Sequence, residues 1–543
     1  MSFRTKLSLI IKGDRQQIGF AAVSVFLTSL VINSIGITWG QPSGYPWTPD
    51  SIAGATSYAA QSRLNKPWRG KYPKLQYVIN SVAYSVAQII IEKEESPKND
   101  FERQVRLPLP YRYMTKLVII SRAITALMGA IAVLATFLIT QRLFHDLLAA
   151  WLAGLALSFN GLFVFYAHVG NVDVPLACWV SWTLYFGIRT VQEKRSIVAV
   201  MLGVCAACAQ GTKDPAAGYL VGTGLSVVGL SIMPSQLAPQ SHSIFQRIRP
   251  LVIAVVAFLL VFSFLNDIFT APEAYLERIE KWLGTGQDKY TRNWGGYLNL
   301  SLNTLKNLTQ GLGWPLAFVT LVGMIYCLVR YPHSALFSLL PFISFFCIVT
   351  LVSKLPIGRY FIPGFVGLAI ISGKTMADFL RLRRLFFIRI AVVAVVLLLS
   401  FMYALAVDFE LLSDSRHRAE YWLRTNVASD EYVACLYPPV YGPKLYEMPF
   451  NFVILERTRR SLVSLERFSK LKRRPDYVVL SRKAYGKIDR ELRHGLLNGS
   501  LGYDEIVRFD RHYLSKKNFL SVAQFQGFDG SLSPRIVILR RKK

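Results

Sequence analysis

Charge is scarce in this sequence. Only 17% of its 543 residues are Asp, Glu, Lys or Arg, where a soluble domain carries about 25%. Acidic charge is scarcer still, with 33 acidic residues against 62 basic ones and a net charge of +29. The six cysteines form neither a disulfide framework nor a zinc spacing. Cys178, Cys205, Cys208, Cys327 and Cys347 fall in apolar runs and Cys435 in a polar stretch, so cysteine says nothing about redox compartment. The usual nucleotide signatures are missing too. There is no G-x-x-x-x-G-K-[ST] loop, and Gly222-Thr-Gly224 lies inside an apolar run rather than after a strand. No D-x-D pair occurs in a polar stretch, so no sugar-nucleotide site is visible. Internal repeats and low-complexity linkers are also absent.

What the sequence has instead is long apolar runs, with 52% hydrophobic residues. About 20 consecutive apolar residues span a bilayer as a helix. The first run extends from Ile18 to Trp39, behind Arg4, Lys6, Lys12 and Arg15. It is too long for a signal-peptide core and lacks an A-x-A site, so it reads as a retained span with a cytoplasmic N-terminus. Further runs follow at 117–140, 147–167, 175–191, 197–211, 215–233, 251–270, 308–329, 335–352, 360–376 and 390–407. The expectation is an α-helical polytopic membrane protein of about eleven spans. It would sit in the cell membrane.

Loop charges orient those spans. Arg142, Lys194, Arg195, Arg247, Arg249, Arg330 and the cluster Arg381, Arg383, Arg384, Arg389 all fall on the side expected to be cytoplasmic. The net positive charge is explained by topology and headgroups, so no nucleic acid partner is expected. The segment 75–91, LQYVINSVAYSVAQIII, carries five polar side chains and reads as a helix lying at the outer interface. The loop at 234–249, with Pro234 and Pro239, reads as a flexible cytoplasmic connection. An odd span count places the tail outside. The chain therefore divides into a transmembrane domain, 1–407, with a first external loop at 41–116, and an extracytoplasmic domain, 408–543. In the tail, 413–427 looks helical, while EYVACLY, NFVILE, PDYVVLS and RIVILR look like strands. A small mixed α/β domain is expected.

Polar residues punctuate the spans on the external face. Thr48-Pro49-Asp50 has the pattern of a helix start, so Asp50 either complements a helix dipole or serves as a general base at the membrane surface. Lys71, in Lys71-Tyr72-Pro73-Lys74, either greets headgroups or clamps a phosphate leaving group. Asp173 lies in the short turn Asn171-Val172-Asp173-Val174-Pro175 and either caps the next helix or faces the site, with His168 nearby as a turn residue. Lys213 and Asp214 either neutralise each other, the slightly favoured reading, or serve the same site. Arg359, in Lys354-Leu-Pro-Ile-Gly-Arg359-Tyr360, is an interfacial anchor or a second phosphate ligand. A transporter would place such groups near the midplane instead.

Taken in order, these stretches resemble the GT-C polytopic glycosyltransferases, in particular the protein O-mannosyltransferase and aminoarabinose transferase group. Thr48-Pro49-Asp50-Ser51 is similar to that family's H-P-D-E motif, with serine where glutamate is frequent. Lys71-Tyr72-Pro73-Lys74-Leu75 is similar to its K-P-P-L stretch, Val172-Asp173-Val174-Pro175-Leu176 to its T-D-V-P-L turn, and Thr212-Lys213 to a T-K turn. Arg359-Tyr360-Phe361-Ile362-Pro363 matches an R-Y-x-x-P start of a late span, and Asp414 to Leu423 resembles a D-x-R-x-x-A-x-x-W-[IL] opening of the tail with one extra residue. The resemblance covers about residues 1–407. It implies transfer of a hexose or pentose, with inversion, from a polyprenyl phosphate to an extracytoplasmic hydroxyl on a protein, lipid or glycan. In that reading Asp50 is the base, Lys71 and Arg359 hold the phosphate with Lys213 as a further partner, and Asp173 orients sugar or acceptor. No organic cofactor is implied. No ligand cluster argues for a metal, though the resemblance leaves room for a divalent one. A lipid or polysaccharide transporter is the rival reading.

Overall fold

The computed structural model describes residues 15–43, 46–48, 51–91, 102–103, 107–232, 244–284, 290–382, 385–438, 440–455, 462–510 and 532–542. Arg4, Lys6, Lys12, the Pro49–Asp50 pair, Pro234, Pro239, Arg383 and Arg384 lie outside the described residues. The chain divides into two units: residues 1–35, 60–82 and 123–405, and residues 36–59, 83–122 and 406–543.

The first unit is helical, and its surface is apolar. Phe20, Val255, Leu260, Phe318, Ile325 and Val392 are all exposed. Such a surface is stable only in a bilayer, where backbone groups must also be satisfied within each helix. The hydroxyls obey the same rule. Thr136, Thr140, Ser158 and Thr190 each donate to the carbonyl four residues back, at 2.7–2.9 Å. Close helix approach relies on small residues. A Cβ at Gly203 would meet the backbone of Ala254 and Phe258, and one at Gly373 the backbone of Ala149 and Ala153. The chain is a multi-pass membrane protein.

Each predicted apolar run falls on helix, with altered bounds. By length and composition, five helices among the described residues are able to cross a membrane, or up to seven if each of two bent pairs is one span. Those bends correct two expected straight spans. The run at 147–167 breaks by 59° between Leu147–Ser158 and Gly161–His168, because Asn160 caps the second helix through the Phe163 amide at 2.9 Å. The run at 308–329 breaks by 117° between Trp294–Leu312 and Trp314–Arg330. There Gly313 has φ +75° and Pro315 opens the next helix.

Ionic groups collect at the two ends of this bundle. At one end Asp146 caps the Leu147–Ser158 helix and pairs with Arg381 and Lys374, while Arg142 pairs with Glu193 at 3.0 Å. At the other lie Asp173, Lys213, Asp214, Arg278 and Arg359.

The second unit contains the tail sheet, of order β2-β1-β3-β5-β4. The strands are β1 Tyr432–Leu436, β2 Asn451–Ile454, β3 Tyr477–Ser481, β4 Tyr503–Phe509 and β5 Ile536–Arg541. β1 is parallel to β2 and β3, and β5 is antiparallel to β3 and β4. Both faces are covered, so the strands read as continuous Val/Ile runs. Val433, Cys435, Val479 and Ile538 pack on one face with Ala419 and Leu423 of the Ser415–Asn426 helix. Ala434, Leu436, Val478 and Leu539 pack on the other with Leu492 and Leu496. The fifth strand, β4, was not expected from the sequence. Segment 75–91 forms the helix Leu75–Ile90.

Candidate functional site

The site is built in the first unit from three turns between helices and one amphipathic helix. Asn171 shapes the first turn. Its side-chain oxygen accepts from the Asp173 amide at 2.9 Å, and its NH2 donates to Asp173 Oδ2 at 2.7 Å. Asp173 is the first residue of the Asp173–Glu193 helix. The cap is Val172, which makes no side-chain bond, so Asp173 is not the capping residue. Its carboxylate still lies at the positive end of the helix dipole.

Lys213 ends the Ser196–Thr212 helix in an extended conformation and donates to Asp173 Oδ1. Arg359 stands in the short 3-10 turn Gly358–Phe361, its Nε 3.7 Å from Asp173 Oδ2. The three side chains are 1%, 2% and 9% exposed. At that burial one carboxylate and two cations attract strongly and leave a net positive centre. Aromatic faces complete it. Lys213 Nζ lies 3.9 Å from the Tyr360 ring centroid and 5.9 Å from that of Tyr72.

The expected mutual neutralisation of Lys213 and Asp214 does not occur. Asp214 pairs with Arg278, whose Nε reaches both carboxylate oxygens at 3.0 and 3.2 Å while its NH2 donates to Asn266 Oδ1 at 2.7 Å. Burial pushes the Asp214 carboxyl above its ordinary range, although Arg278 and Lys213 pull it down. Arg278 comes from the Pro272–Gly284 helix, which also supplies Lys281. Sequence reasoning missed both. The signal was there: Pro272 at a helix start, Glu273 in the first turn and charges on one face.

Lys71 is exposed and lines the same pocket. Trp68 shapes its loop by donating from Nε1 to the Tyr72 carbonyl at 2.6 Å. A Cβ at Gly70 would strike the Trp68 ring, so glycine is required there. Lys74 is buried and pairs with Asp267. Lys354 donates to the Tyr290 carbonyl at 2.7 Å. His168 is buried, its Nδ1 2.6 Å from the Val164 carbonyl, and it serves the helix end.

The structure thus brings Lys71, Lys213 and Arg359 to one pocket of about 370 Å³, with Arg278, Lys281, Tyr72 and Tyr360 also in its wall. Asp173 lies behind Lys213 and Arg359. Asp50 lies outside the described residues. An apolar groove of about 450 Å³ runs along Leu202, Gly203, Leu220, Val227, Phe258 and Phe262. It reaches Tyr275, next in sequence to the pocket residue Ala274, and Ala217, two residues after the pocket residue Pro215. Among the described residues no group of three or more His, Cys, Asp or Glu side chains forms a metal site.

The fold is shared with a solved structure, and part of the chain matches a family model. Residues 118–265 match the family described as dolichyl-phosphate-mannose-protein mannosyltransferase, about a quarter of the chain that includes Asp173 and Lys213. The structure is similar to ArnT from Cupriavidus metallidurans bound to undecaprenyl phosphate, with a TM-score of 0.51, 15% identity, and 95% of this chain and 97% of that chain covered. The archaeal oligosaccharyltransferase AglB from Archaeoglobus fulgidus, in complex with an inhibitory peptide and a dolichol-phosphate, also matches. Its TM-score is 0.43, at 11% identity over 94% of this chain and 78% of that chain. No curated protein matches the sequence.

Proposed function

We propose that this protein transfers a sugar from a polyprenyl phosphate to an extracytoplasmic hydroxyl, with inversion at the anomeric carbon. The observation that carries the reading is a cationic pocket together with an apolar groove whose lining residues Ala217 and Tyr275 lie within two positions of pocket residues. That pair suits a lipid phosphate, with the isoprenoid chain in the groove and the phosphate among Lys71, Lys213 and Arg359. The undecaprenyl phosphate on ArnT and the dolichyl phosphate in the family's description support the same ligand class.

The chemistry follows. The acceptor oxygen attacks the anomeric carbon from the face opposite the phosphate. As the new C–O bond forms, the bond to phosphate breaks, and the acceptor proton passes to the base. Asp50 is the candidate base on its sequence motif. Negative charge grows on the departing phosphate, where fixed cations in a buried setting stabilise it most. Asp173 holds Lys213 and Arg359 in place for that task. In this reading the N-terminus is cytoplasmic, the chain crosses the membrane about eleven times, and the tail domain, 408–543, lies outside. The transporter reading finds no support: the buried ionic clusters described here lie at helix ends.

The test is sugar transfer by the purified full chain from a panel of polyprenyl phosphate sugars to hydroxyl acceptors. Transfer from one or more of them is expected, with an inverted linkage. Binding of undecaprenyl phosphate without transfer from any donor would overturn the reading.

A further inference from the structure

The tail's place in this chemistry is the open question, and the second unit carries an answer. Asp414 is fully buried and caps the Ser415–Asn426 helix through the Arg416 amide at 2.9 Å. Its carboxylate also receives Arg416 Nε at 2.9 Å and NH2 at 2.7 Å, the Ser533 amide at 3.0 Å, and Trp39 Nε1 at 3.0 Å. Trp39 ends the first apolar run and leads into the first external loop. Two segments of the tail and the entry to the loop therefore meet on one carboxylate.

Arg416 extends the grip to Trp47. Its guanidinium lies 4.1 Å from the Trp47 ring centroid, and its NH1 donates to the Trp47 carbonyl at 3.4 Å and the Val440 carbonyl at 3.2 Å. Trp47 Nε1 in turn donates to the Gly442 carbonyl at 3.0 Å. The His417 ring covers another side, at 4.6 Å. Both polar groups and the ring of one loop tryptophan are thus committed to the tail. A tryptophan that merely filled a core needs one such bond.

The loop is anchored beyond this point as well. The Gly54 amide donates to the Tyr84 hydroxyl at 2.9 Å, and Ser57 Oγ to the Ile52 carbonyl at 2.6 Å.

We infer that Asp414 and Arg416 are positioning residues: through Trp39 and Trp47 the tail domain holds the entry to the first external loop, the loop whose sequence carries the candidate base Asp50. The inference rests on the proposed function for the role of Asp50, but not for the clamp itself. The decisive variant is the double Trp39→Phe/Trp47→Phe. It keeps an aromatic ring at both positions and the Asp414–Arg416 pair, and removes both indole N–H bonds. Asp414→Asn serves as a second, harsher variant.

Hydrogen exchange of full-length protein in nanodiscs should show the 40–55 segment opening roughly tenfold more readily in the double variant, with β1 and β3 protected as before. Undecaprenyl phosphate should bind within about twofold of the parent, while turnover falls at nearly unchanged donor KM. Unchanged exchange in 40–55, or a loosened loop with full turnover, would overturn the inference. So would loss of tail protection together with lipid phosphate binding, which marks plain structural support. A parent that transfers no sugar defeats the proposed function, while the exchange data still decide whether the clamp exists.

Discussion

Asp173→Asn is the most informative perturbation of the pocket. Asp173, Lys213 and Arg359 together carry one negative and two positive charges, a net +1. The substitution leaves two cations, 2% and 9% exposed, without their carboxylate. Removing one partner of a buried pair costs about 3–5 kcal/mol, and the repulsion of two cations places this case at the upper end. Lys213→Met alone is milder, since Arg359 and Asp173 still balance each other. Combining the two restores the net +1, so about 0.5–3 kcal/mol of stability should return as coupling between neighbouring sites. Turnover should not return, because one phosphate cation is gone. A lipid phosphate supplies the missing negative charge, so undecaprenyl phosphate at about 100 Kd should raise the Asp173→Asn variant by about 2.7 kcal/mol. Thermal unfolding in detergent, with and without that lipid, measures the stabilities, and donor turnover is measured beside them. Parent-like turnover in the double variant would reduce the pair to a structural role. Failure of the lipid to protect Asp173→Asn would refute phosphate binding here.

Other outcomes follow from the same geometry. Lys71→Ala and Arg359→Ala should each lose a charge-assisted contact worth about 1.5–3 kcal/mol, so kcat/KM for the donor should fall roughly 10- to 150-fold; unaltered lipid phosphate binding in both would sink the assignment. Asp50→Asn should fold and bind donor while turnover falls roughly 100-fold or more, the scale of general base catalysis; near-normal turnover rules the base role out. Burial alone would raise the Asp414 carboxyl, but Arg416 and the amide and indole donors outweigh it and hold it below its ordinary range. Its contribution is therefore complete above about pH 3.9 and lost as pH falls through the lower folded value, so Asp414→Asn should flatten the acid limb of a tail-unfolding profile followed by tryptophan fluorescence. A reporter fused after Lys543 should be shielded from cytoplasmic labelling; a cytoplasmic signal would overturn the orientation of every loop.

The parts of the fold that were legible in the sequence are those where burial is one-sided or complete. Apolar runs such as 390–407 and the Val/Ile strands β1, β3 and β5 announce themselves, because bilayer or core covers every side chain. β4 was invisible for the opposite reason. It is an edge strand reading YDEIVRF, and its charges protect the open edge while erasing the apolar alternation. The bends at Asn160 and Gly313 were hidden because hydropathy averages over a break of one or two residues. Asn160 and the Gly313-Trp-Pro315 sequence were the available signals.

At the site, sequence position predicted which turns meet but not which charges pair. Adjacent Lys213 and Asp214 look like partners on paper. An extended backbone at Lys213 sends its side chain to Asp173, while Asp214 takes Arg278 from 64 residues away. The reason is electrostatic. At these burials a charge needs its partner at hydrogen-bond distance in a fixed direction, and neighbours in an extended segment point apart. The outcome is chemically useful. Had Lys213 been neutralised by Asp214, the pocket would hold one cation fewer and Asp173 with Arg359 would carry no net charge. By recruiting Arg278 for Asp214, the fold leaves Asp173 to hold two cations at once. One carboxylate orienting two cations leaves a residual positive charge of one unit on that triad. Lys71, exposed in the same pocket wall, adds a further cation, which the proposed function assigns to the departing phosphate.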